Sequence, residues 1–200
     1  MLINEINILQ PFAEIIESSL HTWKAHSWKW SHFPSYGSLV TLKQGSKTIF
    51  GIVYGINTGS SDPARTPFPY QKTEQELLKD QPQIFEFLKT TFDCLTVGFI
   101  ENGTLSYQCA LQPPKIHAFV QYASPEETAQ FFAKEHYMPI IFNFGHLVIN
   151  IDELLLAVLK NRSLQGQLSE NKVKSFVGTY SLLTNNDYRR LKIFLQRLSC

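Results

Sequence analysis

The stretch Gly45–Pro69, GSKTIFGIVYGINTGSSDPARTPFP, joins a strand signal to an irregular loop, and its reading decides the fold. Thr48–Ile56 is β-branched or aromatic almost throughout, the composition of a buried strand, with Gly51 and Gly55 where a bulge or a close backbone approach is expected. Such glycines suit a tightly curved sheet. From Asn57 to Tyr70 the pattern stops and prolines stand at positions 63, 67 and 69, which predicts a long irregular excursion rather than a hairpin turn.

Upstream, Ser38–Lys43 is a strand that pairs with Thr48–Ile56 through the turn at Gln44–Lys47. Phe12–Leu20 predicts a first strand and Thr22–Trp30 a second, where Trp28 and Trp30 alternate with Ser27, Lys29 and Ser31 and so mark a buried face. Downstream, Thr73 and Glu76 form a capping-box pattern that opens a short helix through Lys79. A second helix begins near Pro82, with Ile84, Phe87 and Leu88 as its apolar side. Cys94–Ile100 and Thr104–Ala110 make a hairpin about Asn102-Gly103. After the Pro113-Pro114 break, Lys115–Tyr122 is a last strand with Ile116, Ala118, Val120 and Tyr122 on one face.

The expected fold class is therefore mainly β plus α. A small closed or nearly closed β-barrel spans residues 1–123, with an inserted helical loop at 73–90, and an α-helical C-terminal region follows at 124–200. The change of character is announced by Ser124, Pro125 and Glu127: serine cap, proline at the first helical position, glutamate at the third. Helices are expected at Asp152–Lys160, with Leu154, Leu155, Val158 and Leu159 inward, and at Ser169–Leu183, with Val173, Phe176, Val177 and Tyr180 inward. The last, Asp187–Leu198, presents Tyr188, Leu191, Leu195 and Leu198.

Composition narrows the function classes. With 200 residues, 44% hydrophobic and 18% charged, the chain can bury a real core. A net charge of +1 supplies no global field for nucleic acid, so nucleic-acid binding is expected only through a local patch. Cys94, Cys109 and Cys200 lack the paired spacing of a zinc or redox motif and read as reduced cytosolic thiols. No basic leader opens the sequence and no window approaches the ~20 apolar residues of a membrane span, so the expected location is the cytoplasm, without a membrane partner.

Catalytic signatures are missing. There is no GxSxG elbow, HExxH or GxGxxG, and the carboxylates Glu74, Glu76, Asp80 and Glu86 read as a solvated helix face, so neither an acid nor a base is assigned and no enzyme is expected. His26 and His32 share a strand parity but stand ~20 Å apart if extended, too far to share an ion, and no metal or cofactor is indicated. Arg65 is the residue of interest: a guanidinium on a proline-stiffened loop loses little entropy on engaging a carboxylate or phosphate, and Tyr70 and Lys72 stand nearby. Either it meets a partner or ligand, or it pairs with a carboxylate of the following helices and pins the loop. Arg189, Arg190, Lys192 and Arg197 give the last helix a basic face, which meets phosphate or complements the helix dipole.

The residues also resemble a known family, the HAS-barrel domain, the small β-barrel at the N-terminus of HerA-type DNA translocases and a relative of the N-terminal barrel of ATP synthase subunits. The resemblance rests on the order Tyr36-Gly-Ser-Leu-Val, Ile49-Phe-Gly-Ile-Val-Tyr-Gly-Ile, a Pro/Arg loop with helical insertion, Leu95-Thr-Val-Gly-Phe, and Gln112-Pro-Pro-Lys-Ile-His-Ala-Phe-Val, covering roughly Phe12 to Glu127. The P-loop ATPase domain that follows in the translocases has no counterpart: Gly98 and Gly103 have the spacing of its glycines without the lysine and hydroxyl that hold phosphate and magnesium. The resemblance thus implies a non-catalytic module that associates with itself or with a protein partner, such as a separate ATPase or DNA-processing machine. The alternative is a small anionic ligand binder, or an enzyme, with its pocket at the proline loop.

Overall fold

The computed structural model describes residues 10–198 except Pro63, Arg65 and Ile149. Seven strands follow in order, β1 (Ala13–Ser18), β2 (Thr22–Ser27), β3 (Leu39–Gln44), β4 (Lys47–Ser60), β5 (Leu88–Glu101), β6 (Thr104–Ser106) and β7 (Phe119–Tyr122). All pairings are antiparallel, and the order β2-β1-β7-β3-β4-β5 is joined end to end by β2 pairing with β5, from Thr22↔Leu95 to His26↔Thr91. Six strands therefore form a closed barrel, and β6 adds a seventh along β5. Closure removes the sheet edges that an open sheet of this size would expose.

The two glycines of the opening stretch sit where curvature demands them. The β4–β5 register slips between Phe50 and Gly51 and again between Val53 and Gly55, so each glycine borders a bulge. At Gly51 a Cβ atom would stand 2.5 Å from the Trp23 ring, which fills the barrel interior with Phe12, Ile15, Val40, Phe92 and Val120. The turn between β3 and β4 is Gly45-Ser46, with Gly45 at φ +62°, and Asn102-Gly103 turn β5 into β6 with φ of 50° and 77°.

Strands β3, β4 and β5 carry consecutive rather than alternating buried residues, as in Ile49–Val53 and Cys94–Phe99. The reason is burial on both faces. One face looks into the barrel; the other, through Leu39, Phe50, Ile52, Leu95 and Val97, joins the core of the helical region. That region comprises α2 (Pro125–Phe131), α3 (Met138–Asn143), α4 (Ile151–Leu164), α5 (Glu170–Leu183) and α6 (Tyr188–Leu198). Ser124 and Glu127 make the expected capping box, and Asn150 caps α4. Leu154, Leu155, Val158 and Leu159 are buried as their spacing predicts. At Gly37, φ is +76° and a Cβ would lie 2.8 Å from Ala157, so only glycine lets the β2–β3 connection cross α4.

Several expectations are corrected. The buried face of β2 is Trp23, Ala25 and Ser27, not Trp28 and Trp30: the strand stops at Ser27, and Trp28 lies on the outside, edge-on to Phe119 at 5.3 Å. Asn57–Ser60 belong to β4, and Leu88–Thr90 to β5, because these two strands pair over their whole length. The second inserted helix is a 3₁₀ helix, Pro82–Phe87. The last strand is only Phe119–Tyr122, since His117 takes φ 69° and turns Ile116 out to solvent. On α6 the deeply buried residue is Phe194, stacked on Phe176 and Tyr180, whereas Tyr188 is exposed. Among the described residues no helix is long and apolar enough to cross a membrane.

One pair of opposite charges lies inside the helical core. Arg162 of α4 is fully buried, with Nη1 3.3 Å from both Glu135 carboxylate oxygens and from the Tyr137 hydroxyl, and its guanidinium carbon 4.6 Å from the Phe132 ring centroid. Burial first, and then the Glu135 charge, pushes the Tyr137 phenol well above its ordinary value. Removing one member leaves an uncompensated buried charge. Glu135→Gln is expected to lower the unfolding free energy by about 3–5 kcal/mol in urea denaturation, and Glu135→Leu combined with Arg162→Met to recover most of that loss.

Candidate functional site

The paired strands β4 and β5 run on beyond the barrel as a two-stranded ribbon. The last β3–β4 pair is Leu39↔Ile52, and the chain before β3 reaches only as far as Val53, whose amide donates to the Ser38 carbonyl and whose carbonyl accepts from Gly37. Past Val53, β4 has β5 on one side, and among the described residues no strand lies on the other. On the far side of β5, β2 leaves at His26↔Thr91, so the two-stranded ribbon runs from Thr58↔Thr90 to Ser60↔Leu88, and it is closed at its end by the Ser61 amide donating to the Phe87 carbonyl at 2.7 Å. The insertion it carries is the proline loop, then α1 (Glu74–Asp80), then the 3₁₀ helix.

Local chemistry explains how the insertion holds its shape. Thr73 caps α1 and Glu76 reaches back to the Thr73 amide at 2.7 Å, a complete capping box that holds the Glu76 carboxyl below its usual range. Lys72 donates to Asp80 at 2.8 Å across the helix. The Trp30 ring stacks on Phe85 at 5.5 Å and 21°, while the Thr90 hydroxyl donates to the Trp30 carbonyl at 2.6 Å. The barrel thus clamps the insertion from the β2 side.

Between loop, 3₁₀ helix and ribbon end lies a groove of about 330 Å³, walled by Phe68, Tyr70, Gln83, Ile84, Phe87 and Leu88. Its large apolar side chains face water, Phe68 at 69% exposure, Phe87 at 51% and Tyr70 at 39%, with Phe68 edge-on to Tyr70 at 5.7 Å. Among the described residues its lining holds hydroxyls and amides but no carboxylate, imidazole, amine or thiol. It can seat an apolar side chain and hydrogen-bond its backbone, and among the described residues of the lining no carboxylate, imidazole or amine stands by to activate the Ser60, Thr66 and Tyr70 hydroxyls.

The residues singled out from the sequence divide accordingly. Tyr70 lines the groove; Lys72 stands beside it with its charge engaged by Asp80; Arg65 lies outside the described residues, as does Cys200. On α6, Arg190 grips Asp152 through two nitrogens at 2.9 and 2.7 Å, and Arg197 pairs with Glu153, so half of the basic face is spent on α4. The Tyr180 hydroxyl donates to the same Asp152 at 3.0 Å, and burial together with that carboxylate pushes its phenol up to about 12. Among the described residues no group of three or more His, Cys, Asp or Glu side chains could hold a metal ion.

Two features had no sequence signal. One is a crevice of about 570 Å³ between α4, α5 and α6, floored by Leu156 and Leu168 and rimmed by Tyr36, Lys160 and the Glu153–Arg197 pair. The other is a cysteine–histidine contact, Cys109 Sγ 2.8 Å from His21 Nδ1, between residues 88 positions apart. No protein-family model matches the sequence, and no curated protein does either.

Because Trp30 anchors the insertion, Trp30→Ala removes a stacking contact of about 0.5–1.5 kcal/mol. The expected outcome is local: tryptic cleavage after Lys72 and Lys79 accelerates up to about tenfold, read by mass spectrometry, while the barrel melts as one cooperative unit.

Proposed function

We propose that this chain is a non-catalytic interaction module whose docking surface is the proline-loop groove together with the open edge of β4. The observation that carries the reading is the groove itself: three aromatic side chains held in water on a proline-stiffened, strand-anchored insertion, with no carboxylate, imidazole, amine or thiol among its described lining residues. Exposed aromatic anchors on a preorganised frame are the residue types that dominate protein interfaces, because ordering them on binding costs little further entropy. The adjoining β4 edge offers unpaired backbone groups from Tyr54 to Ser60, which suits a partner segment in extended conformation that pairs with the strand and drops an apolar side chain between Phe68 and Phe87.

The likeness to HAS barrels bears on the kind of partner. A six-stranded barrel with a helical insertion between β4 and β5 is the architecture which that resemblance calls for, and it supports a role as an assembly domain for a separate ATPase or DNA-processing machine. The anionic-ligand alternative draws less from the site, since Lys72 is already neutralised by Asp80.

The test is Phe68→Ser combined with Phe87→Ser, two exposed substitutions that leave the core intact. Native protein and variant are compared in quantitative affinity capture from their own lysate and in light scattering across a range of concentrations. The expected outcome is a protein, or a second copy of the chain, retained by the native groove and lost at least tenfold with the variant. Identical capture and identical mass for both would overturn the assignment.

A further inference from the structure

Strand β6 is short, and the chain beyond it runs back over the barrel end, so that Cys109 meets His21 at the start of β2. The two side chains are within hydrogen-bond reach, Sγ to Nδ1 2.8 Å. The Phe144 ring lies 4.5 Å from the imidazole, centroid to centroid, and the His21 backbone is fixed to the strand by its carbonyl accepting from the Thr96 amide at 2.8 Å. His21 is exposed and Cys109 half-buried, so a small reagent can reach the sulfur from solvent. Cys94, by contrast, is sealed inside the barrel.

We infer that Cys109 is a nucleophilic thiol, activated by His21 as its general base, and that it is a site of covalent modification by small uncharged electrophiles. The chemistry follows from the geometry. With the ring in its Nε2–H tautomer, the thiol donates to Nδ1. Burial pushes the Cys109 thiol up, so the sulfur keeps its proton at rest and passes it to Nδ1 as the electrophile arrives. With an alkyl halide the Sγ proton passes to Nδ1, the sulfur lone pair forms the S–C bond, the halide leaves with the C–X pair, and the imidazolium gives its proton to water. The ring that flanks the base is uncharged, which suits an uncharged reagent: Phe144 lies tilted against His21 at 4.5 Å and itself meets the His146 ring at 6.0 Å between centroids. Cys94, the other thiol among the described residues, does not share the arrangement: burial raises it well above its ordinary value and leaves it no access.

The experiment is alkylation of the intact protein by iodoacetamide, with occupancy of Cys109 followed by peptide mass spectrometry between about pH 7 and 9, below and around the ordinary thiol range. His21→Ala removes the base; His21→Gln keeps an acceptor for the S–H without basicity, and circular dichroism verifies that each is folded. The expected result is that Cys109 in the native protein outpaces a small free thiol at about pH 7 and changes little in rate as pH rises. Both His21 variants should be slower by about tenfold or more at that pH and climb steeply towards pH 9. A native rate equal to that of His21→Gln across the range, or a native profile that climbs like an ordinary thiol, would overturn the inference.

Discussion

The pairing of β2 with β5 is the constraint on which the rest of this structure depends. It is non-local, joining residues from Thr22–His26 to residues from Thr91–Leu95, and it turns an open, strongly twisted sheet into a closed barrel whose remaining edges are those of β4 past Val53 and of β6. It seats Trp23 against Gly51, where only a glycine leaves room for the ring. It carries the chain out of β2 towards Trp30, whose ring clamps the insertion, and it brings His21 to the barrel end where Cys109 arrives. Without this seam, clamp and thiol site would both lose their geometry.

The outer surface of the barrel is divided by what covers it. Over β3, β4 and β5 the helices contribute Phe131, Tyr137, Met138, Leu155 and Val158 to a continuous core with Phe50, Ile52 and Val97. On the β7, β1 and β2 side, among the described residues, Glu14 pairs with His117 and Trp28 meets Phe119 edge-on. The helical region is held together by a different chemistry. A buried arginine shared by Glu135, Tyr137 and the Phe132 ring, and a carboxylate, Asp152, gripped by Arg190 and Tyr180, tie α4 to the α2–α3 connection and to α5 and α6. For the buried Arg162–Glu135 pair, an arrangement of helices that separated the two would leave a charge buried alone.

The groove proposed for docking and the thiol proposed to react sit at different places on the molecule. The proline-loop groove sets large apolar side chains among hydroxyls and amides. The Cys109–His21 pair lies where β2 begins and the chain after β6 returns, and it has the one combination of thiol and imidazole in contact among the described residues. A barrel supports both because its strands fix the ends from which loops project, leaving loop chemistry free to differ from one end to the other.

What the sequence by itself determined is local. The glycines at 45, 51, 55 and 103, the capping boxes at Thr73 and Ser124, and the apolar stripe of α4 are legible because each depends on residues within a turn or two of one another. Alternation failed at Trp28 and Ile116, where a strand end and a positive φ, rather than composition, decide which way a side chain faces. Of the candidate site, the proline loop and Tyr70 were legible, but the apolar wall they form with Phe87 and Leu88 was not, because strand pairing across the insertion creates it. Only the tertiary structure decided that the barrel closes through β2 and β5, that β3–β5 are buried on both faces, and that Arg162 meets Glu135 and Cys109 meets His21. Contacts between residues tens of positions apart are set by strand order and register, and no spacing along the chain encodes them.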